Sequence, residues 1–364
     1  MAKDQRAGEI ALQPTAPFLY PTKMIYVLSG SQMKSLSYLY LIMACMSLLG
    51  SASIVITSIV KRKMSNREVH PIFHLSLADL LGSLFLFIGS IAYHTLEETA
   101  IRNKSCPYLT GFATAFYMAT FFLTLNYART VYQKITVRAK GDSVRRPIRP
   151  SVDRSKKVGL KKCNTQFVYY GLAWSLPLLV TIILFSVDHT SFGPNDNICS
   201  SCLPLFHFKN SNCQMIKDAS YKDEPDWYGI YKYTFLGFLV LSIIGTVAYN
   251  MMAYRAFRSI QIYGGIISKR QRGMLTSVKR RLALFCGTFL ICWTPSLVLG
   301  IISMSSSFQM KSLYWLYIIQ ACTCPLQGFI NAFIYGWYRP GFKQAINERS
   351  PLVVQPASSF QSDV

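Results

Sequence analysis

The sequence predicts an all-α membrane protein: a seven-transmembrane helix bundle with the N-terminus outside and the C-terminus inside. Three observations support this fold class. The 364-residue chain is 51% hydrophobic and only 15% charged, whereas soluble domains carry about 25% charged residues. Seven apolar stretches are each long enough to cross a bilayer, which takes about 20 helical residues. The basic residues fall mainly on alternate connections between those stretches.

The apolar stretches define the predicted spans and domains. The seven spans are 37–60, 71–93, 107–130, 166–187, 229–254, 282–304 and 313–337. Residues 1–36 are predicted to form an extracellular segment, residues 37–345 the transmembrane domain, and residues 346–364 a cytoplasmic tail. This composition excludes a disordered chain, a small disulfide scaffold and an ordinary cytosolic enzyme.

Basic residues predict the orientation. Twenty-three Lys and Arg residues lie on three alternate connections, 61–70, 131–165 and 255–281. Six lie on the three opposite connections, 94–106, 188–228 and 305–312. Connections rich in Lys and Arg stay in the cytoplasm, so the N-terminus is predicted to lie outside. The net charge of +22 then comes mainly from the basic inner loops, which are attracted to the lipid bilayer. No nucleic-acid partner is predicted.

Asp79 is the only acidic residue inside the predicted spans. A charge at the bilayer centre costs roughly 2.5–3.5 kcal/mol, so this side chain is expected to face the interior. Thr120, Asn126 and Asn331 are polar residues that could share a cavity with it. A carboxylate among neutral oxygens suits a small cation such as sodium, or a proton. The alternative is a protonated, hydrogen-bonded Asp79 that holds helices together.

The titratable residues argue against a membrane enzyme. An aspartyl protease needs two carboxylates that share a proton, and the spans hold only one. A zinc hydrolase needs about three protein ligands. His70 and His74 share a helix face but lack a third histidine on the same side, so we interpret them as interfacial residues. Apart from the candidate sodium ion near Asp79, no cofactor or metal is predicted.

Four cysteines lie on the predicted outer connections, where disulfides persist: Cys106, Cys199, Cys202 and Cys213. A bridge from Cys106 to one of the other three would tie the long outer loop over the bundle, and the sequence alone does not choose the partner. Free thiols are the alternative. Asn103 begins the sequon Asn103-Lys104-Ser105 and is a candidate glycosylation site, against the alternative of a plain loop asparagine.

Several sequence motifs are distributed along residues 37–345. The segment from Leu75 to Leu80 looks like the helix-two motif of rhodopsin-like receptors. Phe289-x-x-Cys292-Trp293-x-Pro295 matches the helix-six motif, and the segment from Asn331 to Tyr335 resembles the helix-seven motif. Trp174-Ser175-Leu176-Pro177 looks more like the cyclic-AMP-receptor and secretin-like branches. Together these motifs resemble a divergent orphan member of the G-protein-coupled receptor superfamily.

This resemblance implies two sets of functional residues. Asp79, Thr120, Trp293 and Asn331 fall on the sodium-pocket positions, and Trp293, Pro295 and Tyr335 fall on the activation-switch positions. An unknown extracellular ligand would stabilise the state in which the inner end of helix six moves outward. That movement would open a groove for a helix of a heterotrimeric G protein. The plasma membrane is the expected location.

Departures from the family pattern carry their own predictions. Val131 stands where the arginine of the helix-three motif would fall, and Leu275 stands where its acidic partner would fall. The missing ionic lock predicts a weakly held inactive state and basal activity. Pro325 replaces the retinal-binding lysine and Ala113 replaces the amine-binding aspartate, so neither photoreception nor amine binding is predicted.

A non-signalling receptor-like scaffold is the alternative function, since the lost inner motifs could mean lost coupling. Ser362-Asp363-Val364 resembles a PDZ ligand, which adds a strand to a sheet edge and buries its terminal valine. A PDZ protein is therefore a candidate partner, against a chance match of three residues. A transporter is not favoured, because no two-fold repeat is visible in the sequence.

Overall fold

The computed structural model describes residues 30–60, 69–96, 100–143, 167–184, 186, 202–203, 227–263, 269–304 and 313–337. Over these residues the chain forms seven α-helices and no β-strand. In chain order they are α1 (Gly30–Val60), α2 (His70–Thr95), α3 (Ala100–Ser143), α4 (Phe167–Leu184), α5 (Trp227–Tyr263), α6 (Lys269–Met304) and α7 (Tyr314–Trp337). The all-helical prediction is confirmed for this part of the chain.

Within the described ranges, six helices are long and apolar enough to cross a membrane, namely α1 to α6. The helix α7 is long enough but less apolar, because polar residues interrupt its apolar run. Three of them, Gln320, Gln327 and Asn331, are buried inside the bundle. A helix that turns polar groups toward other helices loses mean hydropathy without exposing those groups to lipid. The chain is a multi-pass membrane protein.

Several helices extend beyond the predicted spans. The helix α3 has 44 residues and α5 has 37. Their predicted spans, 107–130 and 229–254, begin later and end earlier than the helices. The predicted limits are therefore too short for these helices. Apolar sequence marks where a helix can sit in lipid, but a helix needs only continued backbone hydrogen bonding and adequate propensity. Both conditions persist into the polar sequence at the helix ends.

Six of the helices pack in a closed ring, in the order α1, α2, α3, α5, α6, α7 and back to α1. Across the interior, α2 also contacts α7 and α3 also contacts α6. The helix α4 lies against α2 and α3 through Trp174. The indole N–H of Trp174 donates to His74 Nδ1 at 3.3 Å, and its ring lies 6.3 Å from that of Phe116.

Two apolar clusters fill the ring. The first lies toward the end that carries Cys106 (the Cys106 end) and includes Tyr40, Phe121 and Trp293. The second lies toward the end where α3 reaches Ser143 (the Ser143 end) and includes Val131 and Phe285. Buried polar residues of α1, α2 and α7 lie at the boundary between these clusters. The candidate site is built at that boundary.

Candidate functional site

Asp79 is buried between α1, α2 and α7, with only 2% of its surface exposed. The side-chain amide of Asn331 on α7 donates to its Oδ2 at 3.0 Å. The structure therefore brings together two of the residues that the sequence analysis placed in a cation pocket. Of the described residues, none with a positive charge forms an ion pair with Asp79, so its polar surroundings are neutral.

Buried serine hydroxyls of α1 and α2 lie near this carboxylate. Ser83 Oγ, one turn along α2 from Asp79, donates to Ser47 Oγ on α1 at 2.8 Å. Ser51, one turn further along α1, is fully buried, and its hydroxyl has no hydrogen-bond partner among the described residues. A buried hydroxyl without a partner costs about 1–3 kcal/mol. The site therefore contains an oxygen that a water molecule or a cation would satisfy.

Gly328 lets α7 approach these groups closely. A Cβ atom at this position would lie 2.3 Å from Ser51 Oγ, 2.5 Å from Ser47 Oγ and 3.1 Å from Asp79 Cβ. Close helix approach through small residues is the usual way to pack transmembrane helices. The missing side chain at Gly328 thus places the α1 hydroxyls and the α2 carboxylate against the backbone of α7.

Trp293 lies in an aromatic cage formed by α3 and α5. Its ring centroid is 4.6 Å from that of Phe121, 5.2 Å from Tyr117 and 6.1 Å from Phe235. Edge-to-face ring pairs of this kind stabilise by about 0.5–1.5 kcal/mol beyond their buried area. The indole N–H donates to the side-chain oxygen of Gln327 on α7, so the ring is fixed from both sides.

Further hydrogen bonds join α6 to α7 beside Pro295. Proline removes one backbone hydrogen bond from α6 and loosens the helix there. The carbonyl oxygen of Cys292 accepts from Thr323 Oγ1 and from Cys324 Sγ, each at 3.2 Å. Cys324 Sγ also lies 2.9 Å from Ser296 Oγ. With the Trp293–Gln327 bond, these contacts form what we term the α6–α7 seam.

The remaining predicted site residues are more scattered. Thr120 is fully buried, but its hydroxyl donates to the Tyr117 carbonyl of its own helix at 2.8 Å. No hydrogen bond joins Thr120 to Asp79 in the described ranges. Pro295 lies inside α6. Tyr335 packs, partly buried, against the second apolar cluster, about one turn beyond Asn331.

Apolar side chains lie between α3 and α6 toward the Ser143 end, where Val131 stands in place of the arginine of the ionic lock. Val131 is buried in the same apolar cluster as Leu282 and Phe285 of α6, and the ring of Tyr127 lies 5.2 Å from that of Phe285. The nearest arginine, Arg129, places its guanidinium 3.6 Å from the ring centre of Tyr169 on α4. Apolar packing therefore holds α3 against α6 at this end.

A disulfide joins Cys106, near the start of α3, to Cys202 in the long connection before α5. Cys202 is one of the three partners that the sequence left open; Cys199 and Cys213 lie outside the described residues. The carbonyl oxygen of Cys202 lies 2.8 Å from where a Cβ atom of Gly89 would be, so the loop packs closely against α2 at this glycine.

Asn103, the candidate glycosylation site, falls in the first turn of α3 rather than in a loop.

Sequence reasoning missed Ser47, Ser51, Ser83 and Gln327 as site residues. A signal for Gln327 exists in the helical spacing of α7. The polar residues of α7 recur at steps of four, three and four: Gln320, Cys324, Gln327 and Asn331. Such spacing places residues on one face of a helix. Read as a buried polar face, it would have paired Gln327 with Asn331.

Comparison with known proteins follows the receptor motifs. Over 275 residues, 73% of this chain and 62% of the relative, the sequence is 24% identical to cyclic AMP receptor-like protein C of Dictyostelium discoideum. Over 276 residues, 74% of this chain and 60% of the relative, it is 26% identical to proteinase-activated receptor 2 of Homo sapiens. The chain therefore spans about three fifths of the length of the curated relatives it matches. Both relatives are receptors by name.

A family model provides the assignment. The model described as Transmembrane protein 116 matches residues 33–352, a range that includes α2 to α7 and nearly all of α1. The match therefore covers both apolar clusters, the Asp79 site and the α6–α7 seam. On this match, the chain belongs to the Transmembrane protein 116 family.

Proposed function

We propose that this protein is a G-protein-coupled-receptor-like membrane protein that relays an unknown extracellular ligand to G proteins. In the proposed arrangement all seven helices cross the bilayer, with α7 included, and the Cys106 end faces outward. The basic connections support this orientation, and the plasma membrane is its expected location. Two receptors among the relatives support the class of function.

The α6–α7 seam is the observation that carries this proposal. It lies beside Pro295, where α6 has lost a backbone hydrogen bond and bends most easily. Its contacts depend on small separations between α6 and α7, so a rotation of Trp293 or a bend of α6 would break them together. Signalling of this kind needs an element with two discrete arrangements. Here the seam holds the closed one.

The test is activation of a panel of G-protein alpha subunits by the displayed full chain, without ligand. Activation of one class, changed by Trp293→Ala, would support signalling through α6. If a displayed and folded protein activates none of these subunits, the scaffold alternative is favoured.

The candidate PDZ ligand at Ser362 and Val364 lies outside the described residues. Loss of pull-down by a PDZ protein on deleting Val364 would support a scaffold that binds through this C-terminus.

Gln327→Leu is expected to raise basal activation about three- to tenfold. The substitution leaves the buried Trp293 N–H without an acceptor, which destabilises the closed seam by about 1 kcal/mol or more. The matched control is Thr294→Val, whose exposed hydroxyl bonds only to the Leu290 carbonyl of its own helix. Equal basal activation by the two variants, at equal display, would contradict the role given to the seam.

We also propose that a sodium ion binds beside Asp79. Hard cations take oxygen ligands, and the Asp79 carboxylate has neutral hydroxyls next to it. Ser51 Oγ, buried and without a described partner, is the feature that best fits a cation there. Asp79, Ser51 and Ser47 are the residues that would hold the ion. Of the predicted set of Asp79, Thr120, Trp293 and Asn331, only Asp79 is kept as a ligand. In this proposal the ion would supply a positive charge that keeps Asp79 ionised and the closed bundle more stable.

Sodium is expected to raise the Tm of the purified protein by about 1–2 °C over choline at equal ionic strength. A ligand at about five times its Kd adds about 1 kcal/mol to stability, and an unfolding entropy of about 2 cal/mol/K per residue over 364 residues converts this into that shift. Asp79→Asn should abolish the difference between the two salts. Ser90→Ala, which removes a hydroxyl bonded only within α2, should keep it. A sodium effect that survives in Asp79→Asn would place the ion elsewhere.

A further inference from the structure

Among the residues that the structure describes, the cations at the Ser143 end of α5 have no acidic partner. Residues 227–346 contain no Asp or Glu, so neither α5, α6 nor α7 can supply a carboxylate. Arg255 and Arg258 are exposed on α5, and neither forms an ion pair or a hydrogen bond with another described residue. They lie three residues apart and therefore on one side of the helix. Two like charges held this closely favour an anion between them.

Lys279 of α6 adds a third cation at the same level of the bundle. Its Nζ lies 4.2 Å from the ring centre of Tyr254 and 4.7 Å from that of Phe257. Cation–π contacts at these distances are favourable and hold the lysine across the α5–α6 groove. Tyr254 and Phe257 directly precede Arg255 and Arg258, so all three cations are brought to one level of the bundle.

That level is the edge of the apolar region. The apolar stretch of α5 ends at Ser259, and that of α6 begins at Thr276. An exposed apolar row leads along α5 to the cations, at steps of three or four residues: Val240, Ile244, Val247, Met251 and Tyr254. A lipid acyl chain fits such a row, with its headgroup beside the arginines. A free phosphate would use only the cations.

We propose that the Arg255, Arg258 and Lys279 cluster binds the headgroup of an anionic phospholipid that carries phosphomonoester groups. Three cations around one site favour a headgroup with more than the single charge of a phosphodiester. The acyl chain lies along the exposed row on α5. The choice of an inner-leaflet lipid rests on the orientation given under the proposed function, whereas binding itself does not.

The test measures binding of a fluorescent phosphatidylinositol bisphosphate to the full chain in neutral detergent micelles. The double variant Arg255→Gln, Arg258→Gln is expected to weaken binding at least about tenfold, since each cation near an anionic lipid contributes about fivefold. Lys279→Gln should weaken lipid binding about fivefold, whereas the charge-conserving Lys279→Arg should retain the binding of the unmodified chain. Lys232→Gln, at the opposite end of α5, is the matched control and should change binding less than twofold.

Three results would overturn the proposal: unchanged binding in the double variant, equal affinity for phosphatidylserine, or full competition by soluble inositol trisphosphate. The last would indicate a free-phosphate site. If the double variant does not fold, the headgroup comparison with the unmodified chain decides. No G protein is present in the assay, so failure of receptor coupling leaves this result unaffected, and loss of lipid binding leaves the coupling test intact.

Discussion

Replacing both Cys106 and Cys202 with serine is expected to lower the free energy of unfolding by about 2–4 kcal/mol. The bridge joins residues 96 apart in the sequence, and a loop of that length predicts about 4–5 kcal/mol from chain entropy alone. The smaller figure applies because helices inserted in a membrane stay ordered when their packing is lost. Thermal unfolding of the purified chain, with and without reductant, measures the effect.

The controls for this prediction separate the bridge from thiol chemistry in general. Cys45→Ser removes an exposed free thiol on α1 and should leave Tm unchanged. Cys199→Ser and Cys213→Ser should also leave it unchanged if Cys202 is the partner of Cys106. A loss of stability in Cys213→Ser equal to that of the double variant would show that the loop is tied through a different pair.

The all-helical, multi-pass character of the fold was predictable because its signal is physical and strong. Seven apolar runs are long enough to be helices in a bilayer, where every backbone group needs an internal partner. The structure forms a helix at each of them. Helix ends were harder to predict, because the sequence pattern that was used reports the lipid boundary. The helix α3 continues as far as Ser143, through basic and polar residues that have no reason to break a helix.

The site was predictable where a lone charge or a motif marked it. Asp79 stood out as the only acidic residue in the predicted spans, with Asn331 as a polar residue that could share its cavity, and the receptor resemblance added Trp293. The hydrogen bond from Asn331 to Asp79 shows two of these residues in contact. Ser47 and Ser51 lie on α1, where the sequence alone makes them look like ordinary small packing residues. Their importance depends on the close approach of α7 at Gly328. A single sequence does not show which small residue of one helix packs against which polar residue of another.

The missing ionic lock has a different consequence in the structure than in the sequence. From the sequence, Val131 and Leu275 predict a weakly held inactive state. In the structure Val131 is buried in an apolar cluster that also contains Leu282 and Phe285 of α6, and van der Waals packing of this kind drives the association of helices in a membrane. Restoring Arg at position 131 would place a charge in that apolar cluster. If the protein signals as proposed, we therefore expect its basal activity to depend on the α6–α7 seam more than on the lost charges.

Gly50→Ala is expected to destabilise the protein by about 1–3 kcal/mol, with a fall in Tm of several degrees. A Cβ atom at Gly50 would lie 2.7 Å from Phe329 Cα and 3.3 Å from Phe329 N. Both are backbone atoms of α7, so no side-chain rotation can relieve the clash. The helices α1 and α7 must separate, which would also draw Ser51 away from Asp79.

The control variants make this prediction about packing rather than about glycine itself. Gly237→Ala on α5 and Gly336→Ala on α7 place their Cβ atoms in open space, where alanine favours a helix by up to about 1 kcal/mol. These two variants should keep or raise Tm. The difference in Tm between them and Gly50→Ala should therefore be larger than the steric clash alone would cause. The sodium-dependent rise in Tm should shrink in Gly50→Ala and remain in both controls. Equal Tm values for all three variants would show that α1 and α7 are farther apart than described, and the Asp79 site would lose its α1 hydroxyls.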